Sequence, residues 1–234
     1  MRFIPTLSLS VTLLLAGSAL VAQGQDTARV VAGGGISVAG WQGKIDPQEE
    51  KAGMVLNNSK LAAGPKGALQ VTTGPAVTYW NPTNTAIGNY TVKATFTESN
   101  YMGLNDHPHP YGIVIAGNDM GTATQSYLYC AAYGDGTFIV RGFGPDPFQM
   151  GGRKPEPNAA INKAAGKGSS VTQEIAVSVK GDKVECSING TVVASYDKAA
   201  VVGPGKLKST DGVYGIRFAH NTDAVVTGLA LTRN

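Results

Sequence analysis

The sequence predicts an all-β fold, a jelly-roll sandwich of about a dozen antiparallel strands. Segments in which apolar and polar residues alternate recur along the chain, and turn residues separate them. Glycine accounts for 31 of the 234 residues and only 15% are charged, which suits a chain with many tight turns. Since no long amphipathic helical pattern interrupts the alternation, we expect a single β-sandwich domain over residues 36–234.

The predicted elements follow one another with short connections. The segment 46–53 contains Asp46-Pro47 and predicts a turn with one helical turn. Hairpin turns are expected at 134–136, 180–182 and Asn189-Gly190. The segments predicted as strands are 36–45, 68–72, 76–80, 89–98, 111–116, 127–133, 137–143, 173–179, 183–188, 191–196, 212–219 and 224–232.

The hairpin 127–143 has two chemically different faces. If Tyr133 pairs with Thr137, one face carries the apolar residues of a core: Leu128, Cys130, Ala132, Phe138 and Val140. The other face carries Tyr127, Tyr129, Arg141 and Phe143, with Tyr129 opposite Arg141. One interpretation is an exposed platform on which sugar rings stack beside a guanidinium. The alternative is a cross-strand aromatic–cation pair that only stabilises the sheet.

The same alternation extends the two faces to other strands. Arg217 should point outward to the side of the tyrosines, since Tyr214, Ile216 and Phe218 take the inward positions. The residues predicted to face between the sheets are Phe96, Phe138, Val140, Ile175, Val177, Ile188, Ile216 and Phe218.

Histidines mark a second group of candidate ligand contacts. His107 and His109 each precede a proline in the segment 105–110, which holds them in extended backbone and turns both rings to one side. His220 follows the strand 212–219. Together with Asp106 the three rings could form a zinc site, but we favour polar contacts to a ligand and predict no metal and no cofactor. The alternative is a proline-stiffened surface loop.

Two loops allow further alternatives. The loop 117–126 is rich in oxygen, and Asp119 could contribute to a calcium site, but a single carboxylate favours a solvated turn. The loop 144–158 is long for a compact domain and offers Phe148, Met150 and Arg153, so it either walls the aromatic–arginine groove or is a mobile surface loop.

The N-terminus predicts export. A positive start at Met1-Arg2, a mostly apolar stretch over 7–21 and the small residues of Ala22-Gln23-Gly24 are typical of a signal peptide over 1–24. We expect a flexible segment over 25–35 and an extracytoplasmic protein, periplasmic or secreted. Loss of Arg2 lowers the net charge from +3 to +2, which is too weak to suggest a nucleic-acid or anionic-membrane partner. We also expect a monomer.

Two cysteines remain after cleavage, Cys130 and Cys186. Export favours a disulfide between them. A sequential meander would separate them too far for the bond, so pairing requires a non-sequential strand order or a bond across the two sheets. Two buried free thiols are the alternative.

Four motifs resemble the concanavalin A-like lectin/glucanase superfamily, and in particular its laminin-G-like and 3-keto-disaccharide hydrolase-like domains in exported bacterial proteins. They are Gly40-Trp-Gln-Gly43, Asn89-Tyr-Thr-Val-Lys-Ala-Thr95, Lys183-Val-Glu-Cys-Ser-Ile-Asn-Gly190 and Asp211-Gly-Val-Tyr-Gly-Ile-Arg217. The resemblance implies a jelly roll that binds sugars, hydrolyses glycosides or does neither.

The resemblance does not extend to the catalytic motif of the family-16 glucanases. Those enzymes carry Glu-x-Asp-x-Glu on one strand, and this sequence has no such run. We therefore expect non-catalytic binding of a carbohydrate or glycoside on the concave sheet face. A glycoside-processing hydrolase is the first alternative, and a structural envelope protein is the second.

Overall fold

A computed structural model describes residues 27–234. The predicted signal peptide over 1–24 lies outside the described residues. The strands are β1 (Gly35–Ile36), β2 (Gln42–Ile45), β3 (Lys60–Ala63), β4 (Leu69–Thr72), β5 (Val77–Ala86), β6 (Tyr90–Glu98), β7 (Tyr111–Asn118), β8 (Ser126–Ala132), β9 (Thr137–Phe143), β10 (Pro147–Gln149), β11 (Glu156–Pro157), β12 (Val171–Lys180), β13 (Lys183–Ile188), β14 (Thr191–Asp197), β15 (Gly212–Phe218) and β16 (Asp223–Arg233).

Helical structure is confined to short pieces in this part of the chain. The helices are α1 (Pro47–Lys51) and α2 (Lys198–Val201), with 3-10 turns at Leu56–Asn58 and Pro65–Gly67. α1 begins with proline in its first turn, where the missing N–H costs no hydrogen bond. The acidic side chains of Glu49 and Glu50 lie in the same turn and interact favourably with the positive end of the helix dipole. The helical turn predicted after Asp46 is confirmed.

The strands form two sheets that pack as a jelly-roll sandwich, which confirms the predicted fold class. The first sheet has the order β1-β3-β4-β16-β6-β12-β13-β14, and the second has the order β10-β9-β8-β7-β15-β5-β2, with β11 also paired to β9. Almost all neighbours are antiparallel; β1 and β3 run parallel. Because sequence neighbours such as β5 and β6 lie in different sheets, the chain crosses repeatedly between the two layers.

The apolar core lies between the sheets where alternation predicts it. Tyr133 donates its N–H to the carbonyl of Thr137, and Tyr129 pairs with Arg141, so the predicted hairpin register is confirmed. The eight residues predicted for the core all belong to one buried cluster: Phe96, Phe138, Val140, Ile175, Val177, Ile188, Ile216 and Phe218.

Cys130 and Cys186 form a disulfide between the two sheets. Cys130 lies on β8 of the second sheet and Cys186 on β13 of the first, and their Cα atoms are 6.0 Å apart. This is the cross-sheet arrangement that the sequence allowed as one route to pairing. The bond therefore ties the two layers of the sandwich together at the core.

The start of the described chain lies against the sandwich. The Arg29 side chain pairs with Asp223 and donates from Nε to the carbonyl of Thr73, and Val31 donates its N–H to Asn58. These contacts hold the residues that precede β1 beside the segment before β3, the end of β4 and the start of β16. Within residues 27–234, no helix has the length and apolar character needed to cross a bilayer.

Candidate functional site

One end of the second sheet carries a cavity of about 480 Å³ on its outer face. Its floor comes from β8, β9 and β15. Its walls come from the segments that precede β5, β7 and β11 and from those that follow β2, β8 and β15. The polar and aromatic side chains of the lining are Asp46, His107, His109, Tyr129, Tyr133, Asp135, Arg141, Arg217 and His220. Strand pairing therefore brings together residues that are far apart in sequence.

Six of the eight predicted ligand contacts line this cavity. They are Tyr129, Arg141, Arg217, His107, His109 and His220. The other two, Tyr127 and Phe143, lie beside the cavity and do not line it. Tyr127 is only 1% exposed, because the ring of Phe143 lies 5.1 Å away and the guanidinium of Arg217 lies against its hydroxyl.

The prediction that these aromatic rings form a solvent-exposed platform is therefore wrong. Neighbouring strands place the rings side by side, so Tyr127, Tyr129 and Phe143 cover one another and form a second apolar cluster on the outer face. Only Tyr129 of these rings borders the cavity. Tyr127 and Phe143 support Tyr129 from beside it and do not offer a stacking surface themselves.

Arg217 points to the predicted side of the sheet, but its charge is already compensated. Nη1 and Nη2 donate to the two carboxylate oxygens of Asp46 at 2.7 and 2.6 Å, and Nη1 also bonds the hydroxyls of Thr78 and Tyr127. Although burial works against the charge, the Asp46 carboxylate holds the pKa of Arg217 well above its usual range. The guanidinium also lies 4.8 Å from the Tyr129 ring centre, so it fixes this ring in place.

Arg141 differs from Arg217 because no carboxylate of the described chain lies within ion-pair distance. Its Nη2 donates to the carbonyl of Arg153 at 3.0 Å, and its Nε is buried with no hydrogen-bond partner in residues 27–234. The side chain is half-buried and lies in the cavity lining opposite Tyr129. The cavity thus holds one guanidinium without a counter-charge.

The three histidines form a cluster at the mouth. The Nε2 atoms of His107 and His109 are 3.1 Å apart, and Nδ1 of His109 donates to the carbonyl of His220 at 2.7 Å. Asp106 lies 2.5 Å from Nδ1 of His107, and Glu49 lies 3.5 Å from Nδ1 of His220. The loop geometry expected from the two prolines therefore brings the rings together.

The described residues contain no group of three histidines, cysteines or carboxylates arranged to hold a metal ion. The side chains of the histidine cluster bond to one another and to neighbouring oxygens. As cavity-lining groups they present polar edges and imidazole faces. Such groups can donate hydrogen bonds to, or accept them from, the hydroxyls of a bound molecule.

Sequence reasoning missed three cavity residues. The sequence pattern predicts a turn at Asp46, and in the structure its carboxylate accepts hydrogen bonds from Arg217 of β15. Asp135 was interpreted as a turn residue, and its Oδ1 does accept from the N–H and hydroxyl of Thr137, yet it also borders the cavity. Tyr133 precedes the hairpin turn, and burial raises its pKa to about 12, so its hydroxyl is a neutral donor. Alternation along β8 could have identified Tyr133.

The loop 144–158 contributes less than predicted. Pro155 lines the cavity and the Arg153 carbonyl accepts from Arg141, so the loop does form part of a wall. Phe148 and Met150, however, pack against the main core, because β10 folds back on β9 and turns them inward. In the loop 117–126, Asp119 pairs with Lys208, which lowers the pKa of the aspartate.

Comparison with known proteins identifies the fold. Neither a protein-family model nor a curated protein sequence matches the chain. Among solved structures, the carbohydrate-binding module CBM66 from Bacillus subtilis superposes with a TM-score of 0.53 at 8% identity, over 85% of this chain and 98% of the module. The endo-beta-1,3-glucanase from Pyrococcus furiosus gives 0.51 at 12% identity, over 82% and 88% of the two chains. The predicted resemblance to concanavalin A-like jelly rolls is confirmed at the level of the fold.

Proposed function

We propose that the protein is an exported module that binds a carbohydrate or glycoside in the cavity on the second sheet. The observation that carries the proposal is the Tyr129 ring beside the Arg141 guanidinium in one cavity, with imidazole and hydroxyl groups around them. The volume of about 480 Å³ lies within the range of small-ligand sites.

The chemistry of a sugar fits this lining. The C–H face of a pyranose packs on an aromatic ring, and its hydroxyls need several donors and acceptors at fixed positions. Tyr129 supplies the ring, which is 7% exposed and borders the cavity, and the Arg217 guanidinium lies 4.8 Å from its centre. The neutral hydroxyl of Tyr133 and the carboxylate of Asp135 supply a donor and an acceptor on the same wall.

Glycoside hydrolysis is the second candidate function, because two carboxylates, Asp46 and Asp135, border one cavity. Paired carboxylates are the usual machinery for this reaction, with one acting as the acid. Here both are engaged by the protein, Asp46 by Arg217 and Asp135 by Thr137. Glu98, whose pKa burial raises to about 7, is not part of the cavity lining. This arrangement favours binding over cleavage, and the shared fold suits either.

The proposed location is outside the cytoplasm. The cross-sheet disulfide between Cys130 and Cys186 is the kind of bond that persists in oxidising compartments. The signal-peptide prediction points to the same location.

A glycan array with residues 25–234 tests the proposal. We expect retention of a restricted set of glycans by the parent protein. Tyr129→Phe should keep binding because it keeps the ring, and Tyr129→Ala should lose it while the circular dichroism spectrum is unchanged. Retention of no glycan, or equal binding by Tyr129→Ala, would overturn the proposal. Mass spectrometry of the retained glycan after incubation separates hydrolysis from binding.

A further inference from the structure

We infer that the ligand of this cavity is an anionic sugar, with a carboxylate or a sulfate placed against Arg141. The inference rests on the proposed function and names its ligand class. It starts from the charged side chains of the cavity lining, where Asp46 pairs with Arg217 and Arg141 has no carboxylate of the described residues within ion-pair distance. The two arginines of the lining differ in what they bind.

Arg217 is not available to an anion. Asp46 occupies both terminal nitrogens, and the hydroxyls of Thr78 and Tyr127 lie against the same guanidinium. A bidentate carboxylate already fills the donor fork, so a second anion would gain little from this side chain. The pair contributes no net charge to the cavity.

The Arg141 guanidinium, unlike that of Arg217, is available to bind an anion. No carboxylate of the described chain lies within 4.0 Å of its nitrogens, one Nη2 hydrogen bond goes to a backbone carbonyl, and its buried Nε has no partner in residues 27–234. A guanidinium partly removed from water without a counter-charge is destabilised. An oxyanion in the cavity would offset this cost, because a guanidinium fork matches the oxygens of carboxylate and sulfate groups.

The segments beside Arg141 carry further basic residues. Arg153 and Lys154 are exposed and immediately precede Pro155 in the wall. On the other side, the backbone of Lys163 bridges to that of Asp135, and its side chain covers Gly136. Asp135 is the acidic group of the lining outside the Arg217 pair, and its Oδ1 is already bonded to Thr137. An anion at Arg141 therefore meets the guanidinium of the lining that no carboxylate of the described residues compensates, whereas Asp135 suits a sugar hydroxyl.

The test uses an array of neutral, uronate-containing and sulfated oligosaccharides, followed by calorimetry. We expect the retained glycans to be acidic. Comparing the uronate-containing probes with the sulfated probes shows whether the cavity prefers a carboxylate or a sulfate. The best binder is then compared with its methyl-esterified or desulfated form. The acidic form should bind at least tenfold more tightly in 50 mM salt, and this preference should shrink as salt is raised.

Substitutions at Arg141 test whether this residue causes the preference for acidic glycans. Arg141→Gln should lower binding of the acidic form to that of the neutral form, and Arg141→Lys should keep part of the preference. Lys183→Gln, a charge change on β13 of the first sheet, is the control and should leave affinity unchanged. Retention of neutral glycans alone, or an acidic preference that survives Arg141→Gln, would overturn the inference and leave sugar binding intact. Retention of no glycan at all would overturn the proposed function as well.

Discussion

Arg217 and Asp46 form a bidentate ion pair, with nitrogen–oxygen distances of 2.7 and 2.6 Å, although 171 residues separate them. The pair joins the residue before α1 to the penultimate residue of β15, so it fixes the wall of the cavity to its floor. It also places the guanidinium beside the Tyr129 ring. One contact therefore organises the site without being the point at which a ligand anion binds.

Breaking this pair should destabilise the fold. The side chains of Arg217 and Asp46 are 10% and 22% exposed, so Arg217→Met leaves a mostly buried carboxylate uncompensated and should lower the free energy of unfolding by about 3 kcal/mol. Urea denaturation measures this value. The exposed pair of Lys183 and Asp197, 2.5 Å apart, is the control, and Lys183→Met should leave the free energy of unfolding nearly unchanged, because solvent screens this pair. Equal costs for the two variants would contradict the account.

The disulfide should contribute strongly to stability. Cys130 and Cys186 are 56 residues apart, and closing a loop of that length stabilises by about 4 kcal/mol in the chain-entropy model. The variant with both cysteines changed to alanine should therefore unfold at lower urea concentration, as should the parent protein under strong reductant. Reductant should have no effect on the double variant. A midpoint that is the same with and without the bond would refute this contribution.

Stability should depend on the protonation of Glu98. Burial, with the charge of Asp223, raises the pKa of Glu98 from 4.5 to about 7, although the backbone N–H of Met102 opposes the shift. Between pH 4.5 and 7 the folded protein holds a proton that the unfolded chain has released. The free energy of unfolding should therefore fall as pH rises through this window, by up to about 3 kcal/mol.

Glu98→Gln removes the titrating group and should flatten this part of the pH profile. Urea denaturation at pH 4.5, 5.5, 6.5 and 7.5 gives the profile for each protein. The exposed Glu50→Gln variant is the control and should follow the parent. Parallel profiles for the parent and Glu98→Gln would show that Glu98 does not titrate in this window.

The hairpin register predicts the cost of a core substitution. Phe138 is 3% exposed and packs between the sheets, so Phe138→Ala should cost about 3–5 kcal/mol. Ile87, which is 68% exposed in the turn after β5, is the control, and Ile87→Ala should be nearly neutral. An unchanged melting temperature for Phe138→Ala would mean that the face assigned to the core is the wrong one.

Alternation and turn residues were sufficient for the fold class, the hairpin register and the core. Phe138 and Ile216 are inward because a period of two leaves them no other side once Tyr133 pairs with Thr137. The same rule placed Arg217 on the side of Tyr129. Local patterns thus predict the direction in which each strand residue points.

The solvent exposure of a side chain and the identity of its contact partners depend on the order of strands in the sheets, which local sequence patterns do not reveal. The sequence could not show that Tyr127 is covered by Phe143, or that Asp46 meets Arg217, because these contacts join distant segments. Pairing of the cysteines depended in the same way on β8 and β13 facing each other across the core. The histidine cluster was predictable only in part, since His107 and His109 share a segment but His220 arrives from β15.

Calorimetric titration of residues 25–234 and Arg141→Ala with the same retained glycan tests the central claim most directly. A hydrogen bond to a charged group contributes about 1.5–3 kcal/mol, so Arg141→Ala should weaken binding at least tenfold. The variant should unfold at a urea concentration no lower than that of the parent protein, because the arginine forms no ion pair with the described residues and its buried Nε has no hydrogen-bond partner among them. Affinity within twofold of the parent, in a variant that folds normally, would contradict the claim that this cavity binds the sugar.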